Sequence, residues 1–302
     1  MLPMLDCLIV GGGPAGLTAA IYLARYRRIV QIVDEAKSRC AWIPTSHNLA
    51  GFTGGIKGID LLARMRLQAE TYGVRMTAGS VRSLEKHPSG IGFRATLGDG
   101  QQIETDRVLL ATGVIDAQPA MPGLWDAMQR GLIRVCPICD GYEVIDHRIA
   151  VLGHGAKAVK EALFIRTYSP HVTLLTIDQP MHLTREDRVR LEGAGIGIEE
   201  EPVTEVVPDA VITRVVMQRG RVLTFDTLYA ALGTLARSTL AEGLKAKLDA
   251  EGRLIVDRHQ RTSVPGFYAA GDVVSTLNQI AVAMGEGAIA ATAIHNDRRQ
   301  HA

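Results

Sequence analysis

Apolar residues gather in two stretches of this chain that lead into the same sequel. Residues 7–26 (CLIVGGGPAGLTAAIYLARY) and 148–169 (RIAVLGHGAKAVKEALFIRTYS) each read as an apolar strand, a glycine-rich turn and an alanine-rich helix. A second apolar run follows each helix, Ile29–Val33 in one case and Val172–Ile177 in the other. Acids close these runs: Asp34 and Glu35 after the first, Asp178 after the second. The repetition predicts two strand–turn–helix–strand units of the nucleotide-binding kind. Between and after them, Val81–Leu97 and Val203–Phe225 are β-rich and broken by glycine and charged turns. The last ~60 residues include a helical run, Ala281–Ile294, whose alanines and glycines suit close packing. The proline-containing stretch Ala117–Pro122 and the stretch Gly233–Ser238 are the candidate crossovers between domains.

With 302 residues, 47% of them hydrophobic, the chain can bury one large core or two moderate ones, and two domains are expected. The charges cancel to +1, which supplies no basic field for a nucleic acid and no polybasic run for an anionic membrane. Near the N-terminus, Leu5–Val10 is short, is interrupted by Asp6 and has no basic segment before it, so it reads as a strand rather than a signal peptide. No segment offers the roughly 20 apolar residues of a membrane-spanning helix. A cytoplasmic protein with neither nucleic acid nor membrane as partner is the expectation. The four cysteines are too few for a disulfide-stapled secreted scaffold, and only two stand close together. In a reducing compartment such a pair is catalytic or metal-binding.

Gly11, Gly13 and Gly16, with Pro14 and Ala15 between the last two, form GxGxxG directly between a strand and a helix. Gly11 permits the tight turn, Gly13 lets backbone approach a pyrophosphate, and Gly16 allows the helix to pack on the strand; the helix N-terminus attracts the anion. Asp34, about 20 residues on, suits a ribose hydroxyl, and Glu35 could serve instead. A tight turn with no ligand is the alternative. Two later strand-plus-glycine segments favour FAD over NAD here: TDRVLLATG (105–113), ending in Ala111, Thr112 and Gly113, and GFYAAGDVV (266–274), containing Gly271 and Asp272. Asp272 stands where it could bond the ribityl or phosphate region.

CPICDG (136–141) carries the chemistry. Cys136 and Cys139, two residues apart, can close a disulfide, and a CxxC motif lowers a thiol pKa from about 8.5 toward neutrality, raising the attacking thiolate fraction. Asp140 could shuttle the proton that exchange releases; it could also be only a turn residue before Gly141. No second CxxC or close Cys/His pair completes a zinc site, so no metal is expected.

These segments together, GGGPAGLTAAIYLAR (11–25), LLATG (109–113), CPICDGYE (136–143), VLGHGAKAVKEAL (151–163) and VPGFYAAGDV (264–273), resemble the low-molecular-weight thioredoxin reductases and their thioredoxin-reductase-like relatives, in order and spacing, over nearly the whole chain. The resemblance implies an α/β fold of two Rossmann-like domains, three-layer ββα, the second inserted in the first. The FAD domain would comprise 1–116 and 236–302, and 117–235 would form a central nicotinamide-type domain carrying CxxC. A homodimer and a swivelling central domain are also implied. By the same carry-over Cys139 meets the flavin, Cys136 attacks an external disulfide, and Asp140 is the acid/base. Asn278, Gln279, Ile280 and Ala281 fall where the family closes its C-terminal helix over the isoalloxazine, although Arg is commoner at the Asn278 position.

The second turn fits the glycine pattern as Gly153, Gly155 and Ala158, with His154, Ala156 and Lys157 as unusual fillers. NADPH-dependent relatives carry His-Arg-Arg after the next strand, where this chain has Thr176, Ile177 and Asp178. A carboxylate repels a 2′-phosphate and suits the free 2′-hydroxyl, so NADPH use is doubtful and NADH possible; Asp178 could also be a strand-end turn former. Cys7 reads as a small core residue, Cys40 as a peripheral thiol and His47 as a structural or solvent-facing histidine. The expected activity is FAD-dependent thiol-disulfide exchange with a thioredoxin-like protein or a small disulfide or dithiol. The alternatives are a dithiol oxidase using FAD and oxygen, and a non-catalytic redox-sensing nucleotide binder.

Overall fold

The computed structural model describes residues 4–179, 181–274 and 277–299. By its internal contacts the chain divides into two units, Met1–Ala41, Lys57–Ile115 and Leu235–Ala302 forming one, Trp42–Ile56 and Asp116–Thr234 the other. The first unit opens with β1 (Leu5–Val10), α1 (Pro14–Arg25), β2 (Val30–Asp34), α2 (Gly58–Thr71), β3 (Arg75–Ala78), β4 (Val81–Lys86), β5 (Phe93–Leu97) and β6 (Gln102–Leu110). The chain crosses to the second unit within β7 (Val114–Asp116). There follow α3 (Leu124–Gln129), β8 (Ile133–Arg134), α4 (Pro137–Asp140), β9 (Ile149–Leu152), α5 (Gly155–Ile165), β10 (Val172–Ile177), α6 (Arg185–Gly193), β11 (Gly197–Pro208), β12 (Thr213–Met217), β13 (Val222–Phe225) and β14 (Thr227–Ala230). It returns within β15 (Thr234–Ala236), and α7 (Thr239–Glu242), β16 (Phe267–Ala269) and α8 (Ile280–Arg299) complete the first unit.

One long strand organises the first sheet. The apolar C-terminal half of β6 pairs in parallel with β1 and β16, while its polar N-terminal half, Gln102–Thr105, pairs antiparallel with β5. The order is β3-β2-β1-β6-β5-β4, with β16 on β6. The second sheet repeats the device on β11, which runs parallel to β10 and then antiparallel to β12, in the order β13-β12-β11-β10-β9-β14-β8. Such parallel strands are covered on both faces, and β1 and β9 are buried at every position.

In the first unit the face lined by Leu8, Val10, Phe93, Leu110 and Phe267 packs into one apolar cluster. The second unit has two clusters, one around Leu152, Leu228 and Met217 and one beneath α5 around Val151, Ala162 and Leu174. On α8, a β-carbon at Gly287 would stand 2.3 Å from the Ala15 carbonyl oxygen, so only glycine lets this helix press on α1.

β1 and β10 match the expected runs, while β2 is displaced by one residue and α8 runs past the expected Ile294 to Arg299. Residues 42–56, which the sequence reading leaves with the first domain, cluster by contacts with the second unit. There Trp42 stacks edge-on against Trp125 at 4.8 Å, and its carbonyl accepts from the Gln129 amide. Among the described residues no helix is long and apolar enough to cross a membrane.

Candidate active site

In the first unit the predicted nucleotide residues fall beyond the C-terminal ends of neighbouring parallel strands, the edge at which open α/β sheets bind ligands. Gly11 follows β1 with φ +108°, and a β-carbon there would lie 2.4 Å from the Ala111 carbonyl oxygen. One on Gly16 would lie 2.0 Å from Gly11 O. These glycines therefore bring the first turn against Ala111–Gly113, where Ala111 N donates to Val10 O at 2.8 Å. The first helical turn begins at Pro14 after Gly13 and carries no side-chain cap, leaving its amides for another acceptor.

Asp34 ends β2 with both carboxylate oxygens engaged, Oδ1 by the Gly12 amide at 3.0 Å and Oδ2 by Arg66 at 2.9 Å. Glu35 is held by Arg237 at 2.7 Å. Gly271, after β16, donates its N–H to buried Glu286, and Asp272 pairs with Arg39 at 3.3 Å. Gln279 accepts the first backbone bond of α8, whose opening residues are Ile280 and Ala281. Beside them, the side-chain oxygen of Asn278 is buried with no hydrogen-bond partner. Arg39, Arg66 and Arg237 escape the sequence reading, since isolated arginines carry no motif.

The second unit repeats the turn. Gly153 follows β9, where a β-carbon would meet Ala231 O at 2.7 Å, and Gly155 opens α5 with φ +65°. Asp178 follows β10 and is exposed, at φ +58°, a left-handed conformation that Asp tolerates. The side-chain nitrogen of Gln179 reaches His154 Nε2 at 2.9 Å.

Cys136 and Cys139 are disulfide-bonded with Cα atoms 5.3 Å apart. Both are half-buried, and Ile138 between them is exposed. Pro137 starts the single turn α4, and the Cys139 amide donates to Cys136 O at 2.9 Å. Gly141 is required next, because a β-carbon there would lie 2.5 Å from the Tyr168 ring and 2.7 Å from Pro137 O. Asp140 is more than a turn residue: Arg134 binds one carboxylate oxygen at 2.6 Å and the Tyr229 hydroxyl donates to the other at 2.8 Å. Burial pushes the Asp140 carboxyl up against the opposing pull of Arg134 and Tyr229. Neither partner is legible in sequence, Tyr229 least of all, since it sits in an apolar strand that reads as core. Burial raises the thiols of Cys7 and Cys40 to about 12, which removes both as nucleophiles. Cys40 is thus buried, not peripheral.

The family model described as pyridine nucleotide-disulphide oxidoreductase matches residues 5–287. The chain is 27% identical to a thioredoxin reductase of Peptoclostridium acidaminophilum, over 95% of each. It is 30% identical to a component of the alkyl hydroperoxide reductase of Staphylococcus aureus over 95% of its own length, spanning 57% of that longer relative. Among solved structures it resembles HlmI, with TM-score 0.91, 30% identity and coverage of 99% of this chain and 94% of the other. Thioredoxin reductase from Streptococcus pyogenes superposes with TM-score 0.90 at 28% identity, over 98% of this chain and 99% of that one.

Proposed function

Since the chain belongs to the pyridine nucleotide-disulphide oxidoreductase family and is an FAD-dependent oxidoreductase acting on a disulfide, we propose that its electrons pass through Cys136–Cys139 to a thioredoxin-like protein or a small disulfide, with NADH preferred to NADPH as their source. The observation that carries this reading is the half-buried Cys136–Cys139 disulfide followed at once by a carboxyl held between a guanidinium and a phenol. The relatives named for an activity are reductases, which leaves the oxidase and sensor alternatives without support.

FAD, when bound, supplies the two-electron carrier. Several features of the first unit fit it. The first turn leaves no room for a side chain at Gly11, Gly12 or Gly16 and ends in an uncapped helix for a pyrophosphate. Asp34 keeps acceptor capacity on both oxygens for ribose hydroxyls, since each oxygen takes more than one hydrogen bond. The orphaned Asn278 oxygen at the head of α8 calls for a donor that none of the described residues supplies. Ala111–Gly113 follow β6 and Gly271 and Asp272 follow β16 at the same end of the sheet, and Gln279–Ala281 stand at the start of α8. By this reading residues 1–116 and 236–302 hold FAD and 117–235 form the central domain.

At the disulfide, Cys139 takes electrons from the flavin side and Cys136 attacks the external disulfide. Asp140 gives a proton to the departing sulfur and recovers it on closure, burial pushing its carboxyl pKa up against the pull of Arg134 and Tyr229. Arg134 and Tyr229 fix its orientation. The donor preference rests on Ile177 and Asp178, where no cation stands to meet a 2′-phosphate; two missing charge-assisted contacts, at roughly 1.5–3 kcal/mol each, separate the nucleotides by orders of magnitude. The protein acts as a homodimer.

The test is stopped-flow flavin reduction with NADH, NADPH and dithiols in air and without it. Saturable reduction by NADH, slow and unsaturable reduction by NADPH, and improved NADPH use in Ile177→Arg/Asp178→Arg are expected. Efficient NADPH reduction of the unmodified protein would reject the donor assignment, and dithiol-driven oxygen consumption without nucleotide turnover would reject the direction. Cys139→Ser should keep FAD and lose turnover. Cys136→Ser should lose turnover and gain a long-wavelength band from the remaining thiolate beside the flavin.

A further inference from the structure

Glu161 follows Lys157 by four positions on α5, a spacing that reads as an ordinary surface ion pair. The structure places it otherwise. Its Oε1 is buried and finds no hydrogen-bond partner. Here α5 packs against α4, the turn that carries the cysteines and Asp140. The charged groups that act on Glu161 are Lys157 of its own helix, Asp116 of β7 and Asp140 of α4. Asp140 in turn feels Arg134 of β8, Tyr229 of β14 and Glu143 just beyond α4.

We propose that Glu161 is the proton-holding residue of the disulfide centre, handing protons to Asp140 when the Cys136–Cys139 bond opens and receiving them when it closes. The proposal rests on the reading of Asp140 as acid/base. A carboxylate at Glu161 would carry charge on a buried, unpaired Oε1 near two other acids, whereas a neutral carboxyl removes the repulsion. Burial accordingly raises its pKa to about 7, with Lys157 opposing and the two aspartates reinforcing. The two carboxyls are set apart by their surroundings: Asp140 is bound by a guanidinium and a phenol, and Glu161 Oε1 has neither. Such pairs divide acid and base roles between them.

The step balances. Two electrons from the flavin reaction break the S–S bond, one sulfur remains thiolate, and the other takes the Asp140 proton to become a thiol. The Asp140 carboxylate takes the Glu161 proton, and Glu161 is reprotonated from water. Oxidation of the pair reverses each transfer. Because only one proton is consumed per opening, a single buried carboxyl is sufficient store.

The experiment compares wild type, Glu161→Gln and Glu161→Asp, with Glu143→Gln as control, since Glu143 also has a buried oxygen without a partner. Two readouts are taken from pH 5 to 9: the infrared band of protonated carboxyl in the oxidised protein, and the rate of Cys136–Cys139 turnover. Expected is a carboxyl band that titrates out near neutrality in wild type and in Glu143→Gln and is missing from Glu161→Gln. Below neutrality the Glu161→Gln rate should fall about 100-fold, the lower end of the range of proton-transfer assistance, and its neutral pH transition should vanish; Glu161→Asp should restore part of both. Persistence of the band in Glu161→Gln, or an unchanged pH profile, overturns the assignment of Glu161 alone. Full turnover in Asp140→Asn overturns the acid/base reading beneath it, whichever way the infrared result falls.

Discussion

Gly16 shows how strictly single positions are fixed in this chain. A methyl group there would sit 2.0 Å from a backbone oxygen that cannot turn aside, so Gly16→Ala has to open the β1–α1 turn. A loss of about 1–3 kcal/mol and of most bound FAD is expected from melting curves and the flavin spectrum; unchanged colour and midpoint would show that the turn yields. Glu161 gives the opposite case, a residue whose removal should stabilise. The folded chain keeps its proton up to about pH 7 while an unfolded one releases it near 4.5, so the native state binds more protons between these values and stability falls as pH rises through that window. The cost at pH 8 is up to about 3 kcal/mol. Glu161→Gln should therefore melt above wild type at pH 8, with the gap shrinking toward pH 4.5 in differential scanning fluorimetry. Glycine motif, CxxC and adjacent acid could be found in sequence because each is local. The partners of Asp140, six and 89 positions away, could not.

At the scale of elements, α8 and α4 depend on close approach. Gly287 lets α8 touch the Ala15 carbonyl on α1, the helix whose start forms the first nucleotide turn. Gly287→Val should separate these helices and cost about 1–3 kcal/mol, with weaker FAD retention than Gly285→Ala on the same helix, where a β-carbon meets nothing within 4 Å. Equal flavin affinity in the two variants would mean that α8 does not brace the turn. Strand and helix boundaries followed the sequence where a buried run is bounded by glycine or acid, as in β1 and β10. Helix α6 escaped it: only Leu191 is buried there, and its start is fixed by a reciprocal cap between Thr184 and Asp187 rather than by an apolar stripe.

The apolar clusters divide between two units, and each candidate site belongs to one unit. Ligands that bind only the native first unit stabilise it by mass action, about 2.7 kcal/mol at a hundredfold excess over Kd. Calorimetry should resolve two transitions in the flavin-free protein, with FAD raising one and Glu161→Gln raising the other at pH 8; a single transition moved by both would mean that the units unfold together. The sequence by itself determined the doubled strand–turn–helix plan, the close cysteine pair, the family and the lack of an arginine pair at Ile177 and Asp178. Those features are written in neighbouring residues, because a strand, a turn and a helix N-terminus lie within one short segment. Only the tertiary structure decided that residues 42–56 cluster with the second unit, that Arg134 and Tyr229 grip Asp140, and that Glu161 Oε1 is buried without a partner. Burial and long-range hydrogen bonding depend on which strands become neighbours in a sheet, and β8 meets β14 across most of the unit's sequence. No local pattern encodes that pairing.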